Sequence, residues 1–187
     1  MDCDSKIVDG QYVNNYLNHF NNDIVVFGGR NYEYPPPSDR KKYLRWLYGI
    51  MRESVTAEQR QKEPYRLIFT NNILIPRKIY AQIGLDETVT GYGYEDSAFG
   101  FSLKKHAIPV KHIDNPLYHI GLEDADVFLK KTENALDNLL RLKMKGKIGK
   151  EVKIIRYYSL LNSFFIAWFF LILFKMFHSF LLKNLLS

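Results

Sequence analysis

The chain has 187 residues, of which 47% are hydrophobic and 15% aromatic. A chain of this length and composition folds around a core, which excludes a disordered protein. The formal net charge is +6, from 26 basic and 20 acidic residues, and this excess suits nucleic acid, an anionic lipid surface or a phosphorylated donor, with no choice among them from charge alone. The single cysteine, Cys3, excludes an internal disulfide and a multi-cysteine zinc site and fits a reducing, cytoplasmic compartment.

The first half of the chain contains two amphipathic helical patterns and one strand pattern. Apolar residues at three- and four-residue spacing predict helices over 9–20 and 39–53, with Ser38 or Asp39 as the N-cap of the second. Residues 23–27 predict a strand that ends at a glycine turn. The helices are expected to bury Tyr12, Val13, Tyr16, Leu17 and Phe20 in the first and Tyr43, Leu44, Leu47, Tyr48 and Met51 in the second.

The second half alternates short extended runs with helices. Residues 54–63 are charged and are expected to be exposed. The predicted elements that follow are strands over 66–69 and 72–75, a helix over 77–83 between Pro76 and Gly84, a helix beginning near Glu95, strands over 110–113 and 117–118, and an amphipathic helix over 124–142. This order predicts an α/β fold with a mixed sheet flanked by helices.

A basic run and a long apolar segment follow the globular part. The uncharged residues 157–174 are close to the minimum length that spans a bilayer, and an interfacial helix or a buried core helix are the alternatives. The basic residues before them favour the cytoplasmic leaflet, and they lack the interleaved aromatics of a nucleic-acid site, so no nucleic-acid partner is expected. The basic residues are Arg141, Lys143, Lys145, Lys147, Lys150, Lys153 and Arg156.

We therefore divide the chain into three segments. Residues 1–142 form the globular domain, residues 143–156 a basic juxtamembrane linker, and residues 157–187 a hydrophobic membrane-associated helix. The expected location is the cytoplasmic face of the cell membrane, peripheral or single-pass.

Two carboxylates, Asp2 and Asp4, stand on alternate residues near the start of the chain. Where a buried strand runs out into a loop, such a pair can hold a divalent cation, Mn²⁺ or Mg²⁺, through hard oxygen ligands. Short Asp-x-Asp sequences also arise by chance, and a solvated turn is the alternative.

A second acidic pair, Glu95 and Asp96, follows the sequence Gly91-Tyr92-Gly93-Tyr94. The two glycines permit the backbone to curl closely around a ligand, and the carboxylates are placed at a helix amino terminus. A carboxylate there can take the proton of an attacking hydroxyl group. Capping of the helix is the alternative role.

His119 is the candidate third ligand of the cation, because imidazole is an ordinary ligand for manganese and similar ions. His112, at the end of the preceding predicted strand, is its rival for that role. A structural histidine is the alternative for either residue.

The chain resembles the GT-A glycosyltransferases of family 2 through motifs that occur in this order: D-C-D-S, V-F-G-G-R, N-N-I-L-I-P-R-K, I-G-L-D-E-x-x-x-G-Y-G-Y-E-D and H-I-D-N-P-L-Y-H. The resemblance covers about positions 1–142 and is strongest over 70–119. It implies a partial GT-A fold in which Asp2, Asp4 and His119 bind the metal and the diphosphate of a nucleotide-sugar. It also implies that Asp96 is the catalytic base, with Glu95 as acceptor contact or alternate base.

Further polar residues are weaker candidates for donor or acceptor contacts in such an enzyme. Asn71 and Asn72 precede the glycine-rich loop with Gly93 and can orient sugar hydroxyls, or form a turn. Trp46 can stack on a sugar face or pack in the core. Arg30 can meet a phosphate or form a surface ion pair.

The resemblance also implies a missing part, since a complete GT-A domain begins with about a hundred residues that bind the nucleotide base and ribose. A separate chain could supply that half. The expected function is a glycosyltransferase fragment of polysaccharide biosynthesis, inverting and metal-dependent, that transfers a sugar to a glycan or lipid-linked acceptor. The alternative is a catalytically inactive, membrane-anchored module that binds a glycan or a partner.

Overall fold

The computed structural model describes residues 4–84, 92–150, 152–163, 168, 169, 171–175 and 177. The strands are β1 (Ser5–Lys6), β2 (Val25–Phe27), β3 (Arg30–Asn31), β4 (Ile73–Leu74), β5 (Val110–His112) and β6 (Leu117–His119). The helices are α1 (Tyr12–Leu17), α2 (Tyr43–Arg52), α3 (Ala57–Gln61), α4 (Arg77–Ile83), α5 (Glu95–Lys105), α6 (Ala125–Met144) and α7 (Lys153–Ser163).

The strands form two small mixed sheets with the orders β4-β2-β5 and β1-β6-β3. In the first, β2 is antiparallel to β4 and parallel to β5, and in the second, β6 is antiparallel to β1 and parallel to β3. Backbone bonds continue across the break between them, because Ile113 N–H donates to Phe27 and Asn115 N–H donates to Gly28. The predicted mixed α/β architecture is confirmed, with two sheets in place of one.

Helices cover both faces of the β4-β2-β5 sheet because side chains of β2 alternate between its faces. Val25 and Phe27 lie in a core cluster with Ile79 of α4 and Leu103 of α5. Val26 points the other way and packs with Tyr16 of α1 and Ile113. A third cluster joins α5, α6 and α7 through Ala98, Leu139, Leu142, Ile148 and Ile155.

Several predicted elements are confirmed closely. The helix expected over 77–83 is α4 and ends at Gly84, whose φ of 53° lies in the left-handed region that glycine adopts most easily. The helix expected near Glu95 begins there. Of the two predicted caps, Ser38 and Asp39, Asp39 caps a 3₁₀ turn that leads into α2: its side chain accepts from Lys41 N–H, and α2 itself begins after Lys42.

The predicted buried faces of α1 and α2 are wrong in part. Val13, Leu17 and Phe20 are exposed, as are Tyr43, Tyr48 and Met51. On α2 the buried residues are Arg45, Trp46 and Gly49. The reason is a polar contact and a close approach: Arg45 pairs with Glu53, and a Cβ on Gly49 would stand 2.2 Å from the Tyr32 ring.

Residues 54–63 are not simply exposed, because they contain α3 and its buried Arg60. The Arg60 guanidinium donates to the carbonyls of Val55, Gly28 and Ile113. Two of these carbonyls lie at the break between the sheets, where strand pairing no longer satisfies every acceptor. The strand expected over 66–69 is absent, and Ile68 and Phe69 are instead buried outside regular structure.

The chain after α6 places apolar side chains on the surface. In the described part of the predicted hydrophobic segment, Trp168, Phe169, Leu171 and Phe174 are all exposed. No helix among the described residues is both long enough and apolar enough to cross a bilayer. Residues 164–167, 170, 176 and 178–187 of the predicted membrane helix lie outside the described residues.

Candidate functional site

Strands β1 and β6 bring distant parts of the sequence into contact. They pair antiparallel with Ser5 opposite His119, and Ile120 N–H donates to the Asp4 carbonyl over 2.9 Å. The Oδ2 atom of Asp4 lies 3.5 Å from Nδ1 of His119. Gly121 beside them is closely packed, because a Cβ there would stand 2.7 Å from the Cβ of Asp4.

The Asp4–His119 pair has the geometry of two ligands of one divalent cation. Two ligands of an octahedral ion, each about 2.1 Å from it, lie about 3 Å apart, which is close to the observed separation. His119 Nδ1 is buried and has no hydrogen-bond partner among the described residues. Burial, together with Arg45 and Arg30, lowers the pKa of His119, so its imidazole is neutral at pH 7 and able to coordinate a metal.

The third predicted ligand, Asp2, lies outside the described residues, as does Gly91. Within the described ranges, no group of three or more His, Cys, Asp or Glu side chains is placed to hold a metal ion. The structure therefore brings together two of the three predicted ligands, Asp4 and His119.

Asp96 is connected to strand β1, which follows Asp4, through two consecutive residues, Thr70 and Asn71. Thr70 donates to Asp96 Oδ1 from its hydroxyl and from its backbone N–H, the latter over 3.2 Å. Asn71 Nδ2 donates to Ser5 Oγ over 3.3 Å, and Asn71 Oδ1 is buried with no hydrogen-bond partner among the described residues. The segment 70–71 thus links both predicted acidic sites.

The two carboxylates at the start of α5 differ in environment. Glu95 is exposed, whereas Asp96 is half-buried. Burial raises the pKa of Asp96, and the hydrogen bonds from Thr70 oppose the rise without cancelling it. A carboxylate with a raised pKa is a stronger base than a solvated one.

The loop before this pair is held by α6. Asn138 Nδ2 donates to the Gly93 carbonyl over 2.7 Å, and a Cβ on Gly93 would stand 2.4 Å from the Cβ of Ala135. Lys131 Nζ lies 5.3 Å from the centre of the Tyr92 ring. Gly93 therefore makes its close approach to a helix, in addition to any approach to a ligand.

A buried ionic cluster lies beside His119. Glu53 Oε2 is 3.3 Å from Nη1 of Arg30 and 3.3 Å from Nη2 of Arg45, and the Tyr32 hydroxyl donates to the same oxygen. Burial alone would raise the pKa of Glu53, but the two arginines and Tyr32 outweigh it and lower the pKa. Arg30 is therefore in a partly buried ion pair and not in a surface one.

Asn72 and Trp46 are both buried and form hydrogen bonds inside the protein. Asn72 is fully buried, donates to the carbonyls of Gly29 and Asn115, and accepts from the hydroxyls of Tyr12 and Tyr16. The indole N–H of Trp46 donates to the Glu33 carbonyl, and its side chain is only 7% exposed. Both arrangements are typical of structural roles.

His112, the rival of His119, has both ring nitrogens engaged. Nδ1 accepts from Arg60 over 2.7 Å and Nε2 donates to the Pro64 carbonyl over 2.8 Å. This leaves no lone pair for a metal, so the geometry favours His119.

Sequence reasoning missed Glu53, Tyr32 and Thr70, and it placed no role on Ser5. Glu53 stood at the end of the amphipathic helix predicted over 39–53, and a charged residue there carries no signal of burial. Thr70 could have been found, because a hydroxyl one residue before the Asn-Asn pair is a natural partner for a carboxylate.

Two cavities flank α5. One of about 520 Å³ is lined by Thr70, Glu95, Asp96 and Lys147 among others. The other, of about 580 Å³, is lined by aromatic rings including Tyr48, Tyr65, Tyr94 and Phe101 and by Lys153 and Arg156. Both volumes lie in the range of small-molecule sites.

Comparison with known proteins gives no match: no protein-family model matches this chain, and neither does any curated protein.

Proposed function

We propose that this chain is the carboxyl-terminal catalytic half of a GT-A type glycosyltransferase. It transfers a sugar from a nucleotide-diphosphate sugar to a glycan or lipid-linked acceptor, with inversion and with a divalent metal. The observation that carries the proposal is the pairing of Ser5 with His119, which sets Asp4 and His119 3.5 Å apart. The Thr70–Asn71 link to Asp96 supports it further.

In this proposal Asp4 and His119 hold Mn²⁺ or Mg²⁺, with Asp2 as the expected further ligand. When bound there, such an ion would supply positive charge to offset the charge of the diphosphate leaving group. The buried Nδ1 of His119, which has no hydrogen-bond partner among the described residues, and the neutral imidazole fit this role.

Asp96 takes the proton of the acceptor hydroxyl as that oxygen attacks the anomeric carbon. Both hydrogen bonds from Thr70 go to Oδ1, which orients the carboxylate and leaves Oδ2 to accept the proton. The pKa raised by burial increases its strength as a base. Glu95, one residue earlier, is exposed, and in this proposal it would contact the acceptor.

The same proposal places the domain at a membrane surface. Exposed aromatic and aliphatic side chains on α7 and after it follow a basic stretch, and this combination suits an interfacial helix on anionic lipid. A lipid-linked acceptor would be presented at that surface.

The test is release of nucleoside diphosphate from a panel of nucleotide-sugars by the full chain with Mn²⁺. We expect Asp96→Asn to lower the rate by about 10²–10⁴-fold, because general-base catalysis contributes that much. The exposed carboxylate of Asp126 gives the matched control, Asp126→Asn, with an unchanged rate. Equal rates in the two variants would refute the role of Asp96.

Calorimetric binding of a nucleoside diphosphate with Mn²⁺ separates the two functional classes. Binding with no sugar transfer by wild type would favour the inactive, membrane-anchored binding module. A folded sample with no binding at millimolar ligand would reject the donor site altogether.

A further inference from the structure

Arg30, Arg45 and Arg60 are all largely withdrawn from solvent, yet their N–H groups are satisfied in different ways. Arg60 donates to four backbone carbonyls and to His112. The side-chain hydrogen bonds of Arg30 and Arg45 go to one shared atom, Oε2 of Glu53. Arg30 Nε and Arg45 Nη1 are buried with no hydrogen-bond partner in the described ranges. Arg60 is therefore a completed structural group, whereas the other pair lacks acceptors.

The charge of this cluster is also incomplete. A guanidinium stays protonated in proteins, so two arginines and one carboxylate leave one positive charge without a partner in the cluster. A buried charge without an opposite charge is strongly unfavourable. An anion supplied by a ligand would balance it and would accept from the unpartnered N–H groups.

Aromatic rings fix the planes of both guanidinium groups. Arg30 lies over the Phe69 ring, with 4.6 Å between its Cζ and the ring centre. Arg45 lies 5.3 Å from the centres of the Tyr32 and Phe128 rings. Such stacking holds a guanidinium in one orientation, which is what two-point binding of an oxyanion requires.

The cluster lies directly beside the Asp4–His119 pair. Strand β3 pairs with β6, so Arg30 stands opposite Leu117, two residues before His119. The rings of Tyr32 and His119 are 5.5 Å apart. The Arg30 side chain is 17% exposed and can be reached from solvent, whereas the Arg45 side chain is 8% exposed.

We propose that Arg30 and Arg45, held in place by Glu53, form a binding site for a diphosphate group beside Asp4 and His119. Guanidinium forks match the spacing of phosphate oxygens. Asp4 and His119, next to this site, would hold the divalent ion that the proposed function requires. The choice of diphosphate rests on the proposed function, and the group has two possible sources: the nucleotide-sugar donor or an isoprenoid diphosphate acceptor.

The test measures inorganic pyrophosphate binding to the full chain in mild detergent by calorimetry, with a chelator and again with Mn²⁺. We expect saturable binding that Arg30→Gln weakens by about ten-fold or more, because charge-assisted hydrogen bonds are lost. Arg30→Gln leaves the Arg45–Glu53 pair neutral and should fold. The control is Arg52→Gln, since Arg52 is exposed on the same helix as Arg45.

Equal affinity in Arg30→Gln and Arg52→Gln, or no saturable binding by wild type, would overturn the proposal. If Arg30→Gln does not fold, Arg30→Lys replaces it: the charge stays, the planar fork is lost, and weaker binding is again expected. Unchanged affinity in Arg30→Lys would then overturn the proposal.

Two further measurements separate this site from the proposed function and identify its source. Pyrophosphate binding lost in Arg30→Gln, without any Mn²⁺-dependent nucleotide binding, would keep the anion site and reject glycosyl transfer. If Arg30→Gln leaves Mn²⁺-dependent nucleotide binding intact, the anion site would be rejected and glycosyl transfer would be kept. Competition of pyrophosphate by uridine or guanosine diphosphate points to the donor, and competition by farnesyl diphosphate points to the acceptor.

Discussion

At the scale of single residues, the interior of this fold uses polar side chains for two purposes. Asn72 and Arg60 each complete the hydrogen bonds of several backbone carbonyls, and nothing about them points to a ligand. Asn71 and His119 retain buried atoms with no hydrogen-bond partner among the described residues, close to the acidic groups. Natural proteins leave few such atoms unsatisfied. Their position beside the acidic groups therefore makes Asn71 and His119 candidate ligand contacts, unlike Asn72 and Arg60.

The buried His112 should make the stability of the fold depend on pH. Burial, aided by the nearby Arg60 charge and opposed by the bond to Pro64, lowers its pKa to about 4. Below the unfolded pKa of about 6.5, the unfolded chain binds the proton more readily than the folded one. Stability should therefore be complete above that pH and fall as the pH drops towards 4, by about 2 kcal/mol between pH 7 and pH 4.5.

The measurement is urea unfolding of wild type and His112→Gln at both pH values. Glutamine can still accept from Arg60 and donate to Pro64, so the variant should fold while losing this part of the pH dependence. The exposed His106 supplies the control, His106→Gln, which should behave as wild type. An identical pH dependence in wild type and His112→Gln would show that His112 titrates normally.

At the scale of secondary-structure elements, the sequence predicted whether a segment is a helix or a strand better than it predicted which face of that element is buried. The order and approximate bounds of β2, α4, β5, β6 and α6, and the start of α5, follow from periodicity, glycines and caps. The buried face of α2 could not be predicted from its periodicity, because the Arg45–Glu53 pair and the Tyr32 ring packed on Gly49 outweigh its apolar stripe. The two-residue strands β1 and β3 are too short for a periodic signal. Their partners are distant in sequence, so the contact of Asp4 with His119 could be proposed only from motif order.

The contact between α6 and the loop before α5 should be an independent element of stability. Gly93 has a φ of 87°, which side chains rarely adopt, and its neighbour is the Cβ of Ala135. Gly93→Ala should therefore cost about 2 kcal/mol or more through backbone strain and overpacking. Urea unfolding measures the loss.

Gly10 provides the control for this substitution, because no atom lies within 4 Å of a Cβ built there. Gly10→Ala should change stability by no more than about 0.5 kcal/mol. Combining Gly93→Ala with Ala135→Gly removes the clash and should give a coupling energy of about 1 kcal/mol. Equal costs for the two glycine substitutions would show that α6 does not restrain the loop.

At the scale of the whole molecule, the helix that carries the candidate base packs against the segment that leads to the exposed apolar surface. Helix α5 begins with the Glu95–Asp96 pair, and its Ala98 packs in the cluster that contains Ile148 and Ile155. The segment that carries the basic residues is thus joined to the helix that carries the candidate base. A ligand presented at a lipid surface would approach the domain from this side, which the aromatic cavity next to Tyr94 also borders.

This arrangement predicts that the full chain binds anionic vesicles through the region around α7. Trp46 is buried and Trp168 is 72% exposed, so Trp46→Phe leaves one reporter. Its fluorescence should shift to the blue, and brominated lipid should quench it, more strongly with phosphatidylglycerol than with phosphatidylcholine vesicles. Replacing Lys150, Lys153 and Arg156 by glutamine should weaken anionic-vesicle binding by about 1 kcal/mol per residue. The same change at Lys41 and Lys42, before α2, should have little effect. An emission spectrum unchanged by either vesicle would contradict membrane association, because an inserted indole leaves water.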